Sequence, residues 1–182
     1  PDEPLLHRRR ETILNRLREL RRVIVAYSGG VDSTLVARLA FEALGDGALA
    51  VTAAAETMPQ RELEDARRFA AAIGIRHRVI ETHELAIPGY AENTPSRCYL
   101  CKKDLHSHLT ALARAEGFNA VVDGTNTDDL GDFRPGLEAA RELGIVSPLV
   151  ETGCGKADVR DLARLLGLRS AEKPAAACLS SR

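Results

Sequence analysis

Six residues, Ser28-Gly29-Gly30-Val31-Asp32-Ser33, stand between an apolar run, Val23 to Tyr27, and a helical pattern, Val31 to Leu44. Two glycines ahead of a helix let backbone N–H groups approach an anion closely. The Ser28 and Ser33 hydroxyls add donors beside that anion, at the positive end of the helix. The chemistry this suits is the cradling of phosphate. The run lacks the lysine of a Walker A loop and the spacing of a dinucleotide-binding G-x-G-x-x-G. The plainer reading is a Gly-Gly turn with an Asp or Ser cap. All six residues in this register after an apolar strand argue against it.

Two further clusters carry candidate chemistry. Asp123-Gly124-Thr125-Asn126-Thr127-Asp128-Asp129 follows the short apolar run Ala120 to Val122. Its three carboxylates, with the Thr125 hydroxyl and the Asn126 amide, suit a hard cation such as Mg²⁺ and its waters. Taken alone the segment reads equally as a hydrated Asx-rich turn. Arg97-Cys98-Tyr99-Leu100-Cys101-Lys102-Lys103 places two thiols at i and i+3 on one side of a helix start. Arg97, Lys102 and Lys103 there favour thiolates. No second CxxC or paired His follows to complete a zinc site. His106 and His108, two residues apart, lie on different helix faces. Three thiolates hold an iron–sulfur cluster with one iron open, and the candidates for a third are Cys154 and Cys178. Cys154, between two glycines, reads as a small buried apolar residue. Cys178 stands in an alanine-rich polar segment with Ser180, Ser181 and Arg182, an accessible thiol beside an anion-binding side chain.

The elements that must position these groups alternate between helical and short apolar patterns. Leu6, Ile13, Leu14, Leu17 and Leu20 recur at helical spacing, and Val23 to Tyr27 is a strand. The helix Val31 to Leu44 stops at Gly45. Ala48 to Ala53 is a second strand, and Pro59 opens a helix to about Ile73. Ile75 to Ile80 is a third strand, residues 82 to 97 a loop, Cys98 to Glu116 a helix and Ala120 to Val122 a buried strand. Helices near Leu137–Leu143 and Ala157–Leu166 flank a Ser147-Pro148-Leu149 turn. Such alternation predicts an α/β fold, a doubly wound, mostly parallel sheet with helices on both faces. Residues 1–170 would form one domain and 171–182 the start of a linker or C-terminal region.

Composition narrows the function classes. The 182 residues carry 25 basic and 26 acidic side chains, a net charge of −1, with 4% aromatics and no Trp. A surface built to grip nucleic acid needs a basic excess and stacking platforms, so nucleic acid is not the expected partner. Arg8, Arg9, Arg10, Arg16, Arg18, Arg21 and Arg22 are expected on the solvated face of the first helix. No apolar run reaches the length of a membrane span, and the N-terminus lacks a signal peptide's apolar core. A cytoplasmic location follows as the expectation, and with it thiol or metal chemistry for the four cysteines rather than disulfides.

The SGGVDS run resembles the PP-loop of ATP pyrophosphatases, whose pattern is SGGxDS. The resemblance implies cleavage of ATP between its α and β phosphates, with Asp32 acting at magnesium or pyrophosphate and Ser33 beside it. Together with Asp123 to Asp129, Arg134-Pro135-Gly136, Ser147-Pro148-Leu149 and Ala177 to Arg182, the chain resembles the LarE family of sulfur transferases along essentially its whole length. That resemblance implies ATP-dependent adenylation of a carboxylate of a pyridinium dicarboxylate mononucleotide. A sulfur nucleophile then displaces AMP, for synthesis of a nickel-pincer cofactor. It further implies phosphate binding by Ser28, Gly29, Gly30, Ser33, Thr125, Asn126, Arg182 and Arg97, or for Arg97 a tuning of the thiols. Mg²⁺ would lie on Asp32 with Asp128 or Asp129, and a homo-oligomer is expected. Cys98, Cys101 and Cys178 match the members that hold a 4Fe-4S cluster, whereas in others the late cysteine alone gives up its sulfur. Two other classes share the loop: a tRNA thiolase with an iron–sulfur cluster, and an ammonia-dependent amide ligase of the NAD-synthetase type, which needs no thiol.

Overall fold

Alternate residues of the first strand, β1 (Val23–Ala26), enter different cores. Val23 and Val25 are buried in one apolar cluster and Ile24 in another. The period-two alternation of a strand thus divides the fold into two helical layers around one sheet. A computed structural model of the chain describes residues 3–56, 58–83, 86–88, 97–131 and 135–174. The other strands are β2 (Ala48–Ala55), β3 (Arg76–Thr82) and β4 (Ala120–Val122), in the order β3-β2-β1-β4 with every pairing parallel. Val146 adds a single parallel bridge to Val122 at the β4 edge.

One layer holds α1 (Glu3–Leu20), α2 (Val31–Leu44), α3 (Gln60–Ile73) and α7 (Lys156–Leu165), whose apolar faces meet Val23, Val25, Ala48, Ala50 and Val122. The other layer is α4 (Arg97–Glu116), which packs Leu109 and Ala113 on Ile24, Leu49, Val51 and Val121. α5 (Pro135–Glu142) lies against α4, and α6 (Pro148–Glu151) is a single turn. The expected doubly wound parallel sheet is present. The expected turn at Ser147-Pro148-Leu149 instead opens α6, because proline at the first helical position loses no hydrogen bond and Ser147 O accepts the Glu151 N–H at 3.1 Å. Packing continues past residue 170: Ala171 is buried in the first core, and Arg160 donates to its carbonyl at 2.7 Å.

This strand order places a topological switch point between β1 and β4, where ligands of open α/β sheets bind at the carboxyl ends of the strands. The Ser28–Gly30 loop follows β1 and the Asp123–Asn126 segment follows β4, so both lie on that edge. α4 leaves the same edge after β3 and returns to the opposite one before β4, which places Cys98 and Cys101 there as well. Among the described residues no helix is long and apolar enough to cross a membrane.

Candidate active site

The loop after β1 is held open by its own polar atoms. Gly30 N donates to Ser28 Oγ at 3.3 Å and Ser28 N to Ser33 Oγ at 3.2 Å. Ser33 Oγ reaches Gly30 O at 3.3 Å and Ser28 Oγ at 3.1 Å. Gly29 turns at φ +78°, and a Cβ there would come within 3.0 Å of the Ala66 backbone in α3, so only glycine fits. Gly30 caps α2 in extended geometry without a side-chain hydrogen bond. The first-turn N–H groups of α2 therefore remain as donors at the positive helix end. Behind the loop, Thr52 Oγ1 donates its one proton to Tyr27 O at 2.7 Å. His77 must then be the donor, through Nε2–H, in its 2.7 Å bond to Thr52 Oγ1. Burial, aided by Arg67, pushes the His77 pKa down and keeps that ring neutral. The Tyr27 hydroxyl donates to Ala66 O at 3.0 Å, and burial raises its pKa to about 12.

Four side chains from three distant segments close a ring beside this loop. Asp32 Oδ1 accepts from Asn126 Nδ2 at 3.1 Å, and Asn126 Oδ1 accepts from Asp128 N at 3.0 Å. Asp128 Oδ2 accepts from Lys156 N at 2.7 Å, and the Lys156 ammonium closes the circuit on Asp32 Oδ2. Asn126, 2% exposed, is the buried keystone. Gly124 brings the two edges together, since a Cβ there would fall 2.6 Å from Ser33 N. Lys156 was not among the residues singled out from the sequence. The available signal was Gly155-Lys156-Ala157-Asp158, a helix start whose Asp158 carboxylate accepts the Gly155 N–H at 3.0 Å.

The expected cation ligands are differently employed. Asp123 takes three protein donors: Thr125 N at 3.1 Å, Thr125 Oγ1 at 2.7 Å and Ser147 Oγ at 2.7 Å. These bonds shape the loop that leads into Asn126. Asp129 Oδ2 takes the Asn126 N–H at 3.0 Å, and Asp128 receives the first N–H of α7. Among the described residues no three His, Cys, Asp or Glu side chains gather as a metal centre.

The thiols of Cys98 and Cys101 are half-buried at the start of α4, and no disulfide joins Cys98, Cys101 or Cys154. Gly136, the glycine of the Arg-Pro-Gly run, packs onto this helix: a Cβ there would lie 3.3 Å from Cys98 Sγ and 2.8 Å from Lys102 Cγ. Tyr99 donates to Glu142 at 2.8 Å and receives Lys103 Nζ at 2.9 Å, which fastens α4 to α5. One turn and more below, His106 is 2% exposed with Nδ1 unpartnered, whereas His108 is exposed. Burial, reinforced by Lys102 and opposed by Asp123, lowers the His106 pKa to about 4. Cys154 is buried as expected, and burial raises its thiol pKa. Cys178 and Arg182 lie outside the described residues, as does Arg134. Arg97 opens α4.

The arginines of α1 are less solvated than their pattern suggested. Arg9 pairs with Asp158 of α7, Arg10 with Glu42 of α2 and Arg16 with Glu151 of α6 at 2.6 Å. At the far end, Lys173 pairs with Glu62 at 2.6 Å and Asp65 at 3.4 Å, adjoining the Ala66 wall of the Gly29 turn.

The model of the NAD synthase family matches residues 8–126, which include the loop, the CxxC helix and the Asp123–Asn126 edge. The chain belongs to the NAD synthase family. Within it, the chain is 39% identical over 96% of its length to the pyridinium-3,5-bisthiocarboxylic acid mononucleotide synthase of Lactiplantibacillus plantarum, covering 63% of that protein. The resemblance to the LarE sulfur transferases is borne out by that identity. An uncharacterized Synechocystis protein is 52% identical over 90% of the chain and is covered to 61%. The chain thus spans about three fifths of the length of the curated relatives it matches. In fold it is similar to the U34-tRNA thiolase NcsA of Methanococcus maripaludis, solved with its [4Fe-4S] cluster, at a TM-score of 0.71 and 20% identity. That likeness covers 98% of this chain and 70% of the thiolase.

Proposed function

We propose that this chain carries the ATP-using core of a sulfur transferase. It would adenylate a carboxylate of a pyridinium dicarboxylate mononucleotide and replace an oxygen by sulfur, for nickel-pincer cofactor synthesis. The observation that carries the reading is the placement of the Ser28–Ser33 loop and a pair of thiols at one sheet edge, in a chain 39% identical to a synthase of that bisthiocarboxylic acid. Ser28, Gly29, Gly30 and Ser33 surround the leaving pyrophosphate with N–H and O–H donors. A substrate carboxylate oxygen attacks the α-phosphorus, the bond to the β-phosphate breaks, and pyrophosphate departs into the cradle. Lys156 offsets its negative charge, and Thr125 and Asn126 border the nucleotide. A sulfur nucleophile then adds to the acyl carbon, and AMP leaves.

Magnesium would fit beside the Lys156 ammonium at Asp32, an edge already suited to positive charge. Asp32 with Asp129 or Asp128 would hold it, and its chemistry would be charge compensation on the triphosphate. For a 4Fe-4S cluster, the donor set fits: Cys98 and Cys101 are one helical turn apart, half-buried, with no disulfide to occupy them. Cys178 is the proposed third ligand, and a cluster of this kind would supply the sulfur. Lys173 ties the chain to the helix that walls the loop, and Cys178 follows it by five residues, a reach of at most about 18 Å. Arg97 and Arg182 are proposed to bind phosphate. A homo-oligomer and a cytoplasmic location belong to the same proposal.

A tRNA thiolase would need basic side chains for the RNA backbone, and Arg9, Arg10 and Arg16 of α1 are spent on Asp158, Glu42 and Glu151 within the fold. A steep salt dependence of a tRNA gel shift would revive that reading. The deciding experiment uses protein purified anaerobically and reconstituted with iron and sulfide, then mixed with MgATP and the dicarboxylate mononucleotide. Pyrophosphate release and a thiocarboxylate product support the proposal, with the product lost in Cys101→Ala while a first round of pyrophosphate release remains. With ammonia supplied, an amide product formed equally by wild type and by a Cys98→Ser, Cys101→Ser, Cys178→Ser triple variant would give the function to the ammonia-using class instead.

A further inference from the structure

The ring at Asp32 depends on where α7 begins, and α7 begins where Asp158 holds it. The Asp158 carboxylate accepts the Gly155 N–H at 3.0 Å, which sets the backbone from which Lys156 departs. The same oxygen, Oδ2, meets the Arg9 guanidinium of α1. Both partners are three-quarters buried, so this pair has lost most of its competition from water. Lys156 in turn uses its N–H on Asp128 and its ammonium on Asp32. A line of direct contacts therefore runs from the first helix to the first turn of α2, through Arg9, Asp158, Gly155 and Lys156. The other α1 pairs end elsewhere: Arg10 on Glu42 at the far end of α2, and Arg16 on Glu151 of α6.

We infer that Arg9 is a positioning residue for the phosphate site. It fixes the Asp158 carboxylate and thereby the placement of the Lys156 ammonium at Asp32. Arg9 touches no substrate and acts only through the start of α7. The inference rests on the triphosphate reading for its consequence in ATP affinity, but its mechanical half stands on α1 and α7 alone.

The test compares Arg9→Met, Arg9→Lys and Arg16→Met in the full chain. Arg16→Met cuts a more exposed α1 ion pair, to Glu151 of α6, that touches neither Asp158, Gly155 nor Lys156, and so controls for loss of α1 docking. Two readouts are taken: amide hydrogen exchange at Gly155 and Lys156, and the dissociation constant of MgATP by calorimetry. Arg9→Met is expected to speed exchange at both amides by about tenfold, the worth of one helix cap, and to weaken MgATP by a similar factor. Arg9→Lys is expected to recover most of both, while Arg16→Met lowers Tm without moving either. Equal exchange at Gly155 in Arg9→Met and Arg16→Met overturns the inference, as does unchanged exchange in Arg9→Met. Should the wild-type chain take up no ATP, the triphosphate reading fails, and the exchange comparison still decides whether Arg9 sets the start of α7.

Discussion

Gly124→Ala is the sharpest probe of how the two motif loops depend on one another. An added methyl at 124 would stand 2.6 Å from Ser33 N, 2.9 Å from Asp32 C and 3.0 Å from Ser33 Cα. The first of these is 0.8 Å inside the 3.4 Å at which ordinary contact begins, and all three atoms are backbone, so no side chain can swing aside. Gly124 does not occupy the left-handed region, so alanine adds no dihedral strain and the whole effect is steric. Either the end of β4 or the start of α2 must move by several tenths of an ångström. Overpacking of this kind costs about 1–3 kcal/mol, or roughly 2–10 °C in Tm for a chain of this size. The functional loss is expected to be larger, because a displacement approaching 1 Å of a reacting geometry lowers rate by about 100-fold. Circular dichroism melting and pyrophosphate release with MgATP measure the two. A Gly124→Ala protein with wild-type Tm and wild-type pyrophosphate release would refute the close approach of the β4 end to Asp32 and Ser33.

Further outcomes follow from neighbouring contacts. Gly136→Ala, which presses on Lys102 and Cys98, is expected to leave ATP affinity within about twofold and to lower iron bound after reconstitution, read by colorimetric iron assay. Lys156→Met is expected to weaken MgATP by about tenfold in calorimetry, since the ammonium beside Asp32 that offsets phosphate charge is lost. His106 gives an acid sensitivity. Its folded pKa, about 4, lies below the unfolded value of 6.5, so between these values the unfolded chain binds the proton and the folded chain does not. Stability attributable to this residue is therefore intact above pH 6.5 and falls on acidification, at up to about 1.4 kcal/mol per pH unit until pH 4. Urea melts of wild type and His106→Gln at pH 7 and pH 5 are expected to show a smaller drop in the variant, and equal drops would refute it.

The sheet and its helices were legible because their signals are local. The run Val23 to Tyr27 alternates between two cores, and the Gly45 and Gly74 stops sit where the helices α2 and α3 end. The pairing of motifs was not legible, because it is made by side chains far apart in sequence. Nothing near Asp123 announces that Ser147 will consume its carboxylate, and nothing near Asp32 announces Lys156. A surface turn and a cation site share one composition, and only the donors brought by folding separate them. The arginines of α1 failed in the same way: helical spacing shows which face they share but not that Asp158, Glu42 and Glu151 face it. Conversely, the Arg-Pro-Gly glycine, uninformative as a tripeptide, becomes intelligible once α5 is seen against Cys98.

The separation of the interior into two apolar clusters has a consequence for how such a protein can change. Asp32 and Lys156 ride on the layer formed by α2, α3 and α7, and the thiols ride on α4, with the sheet as a partition between them. Mutations that repack the α4 layer are buffered from the opposite layer by four strands. On the proposed function, the second reactant can thus be exchanged while the ATP-using half is kept, much as a tool holder accepts different bits.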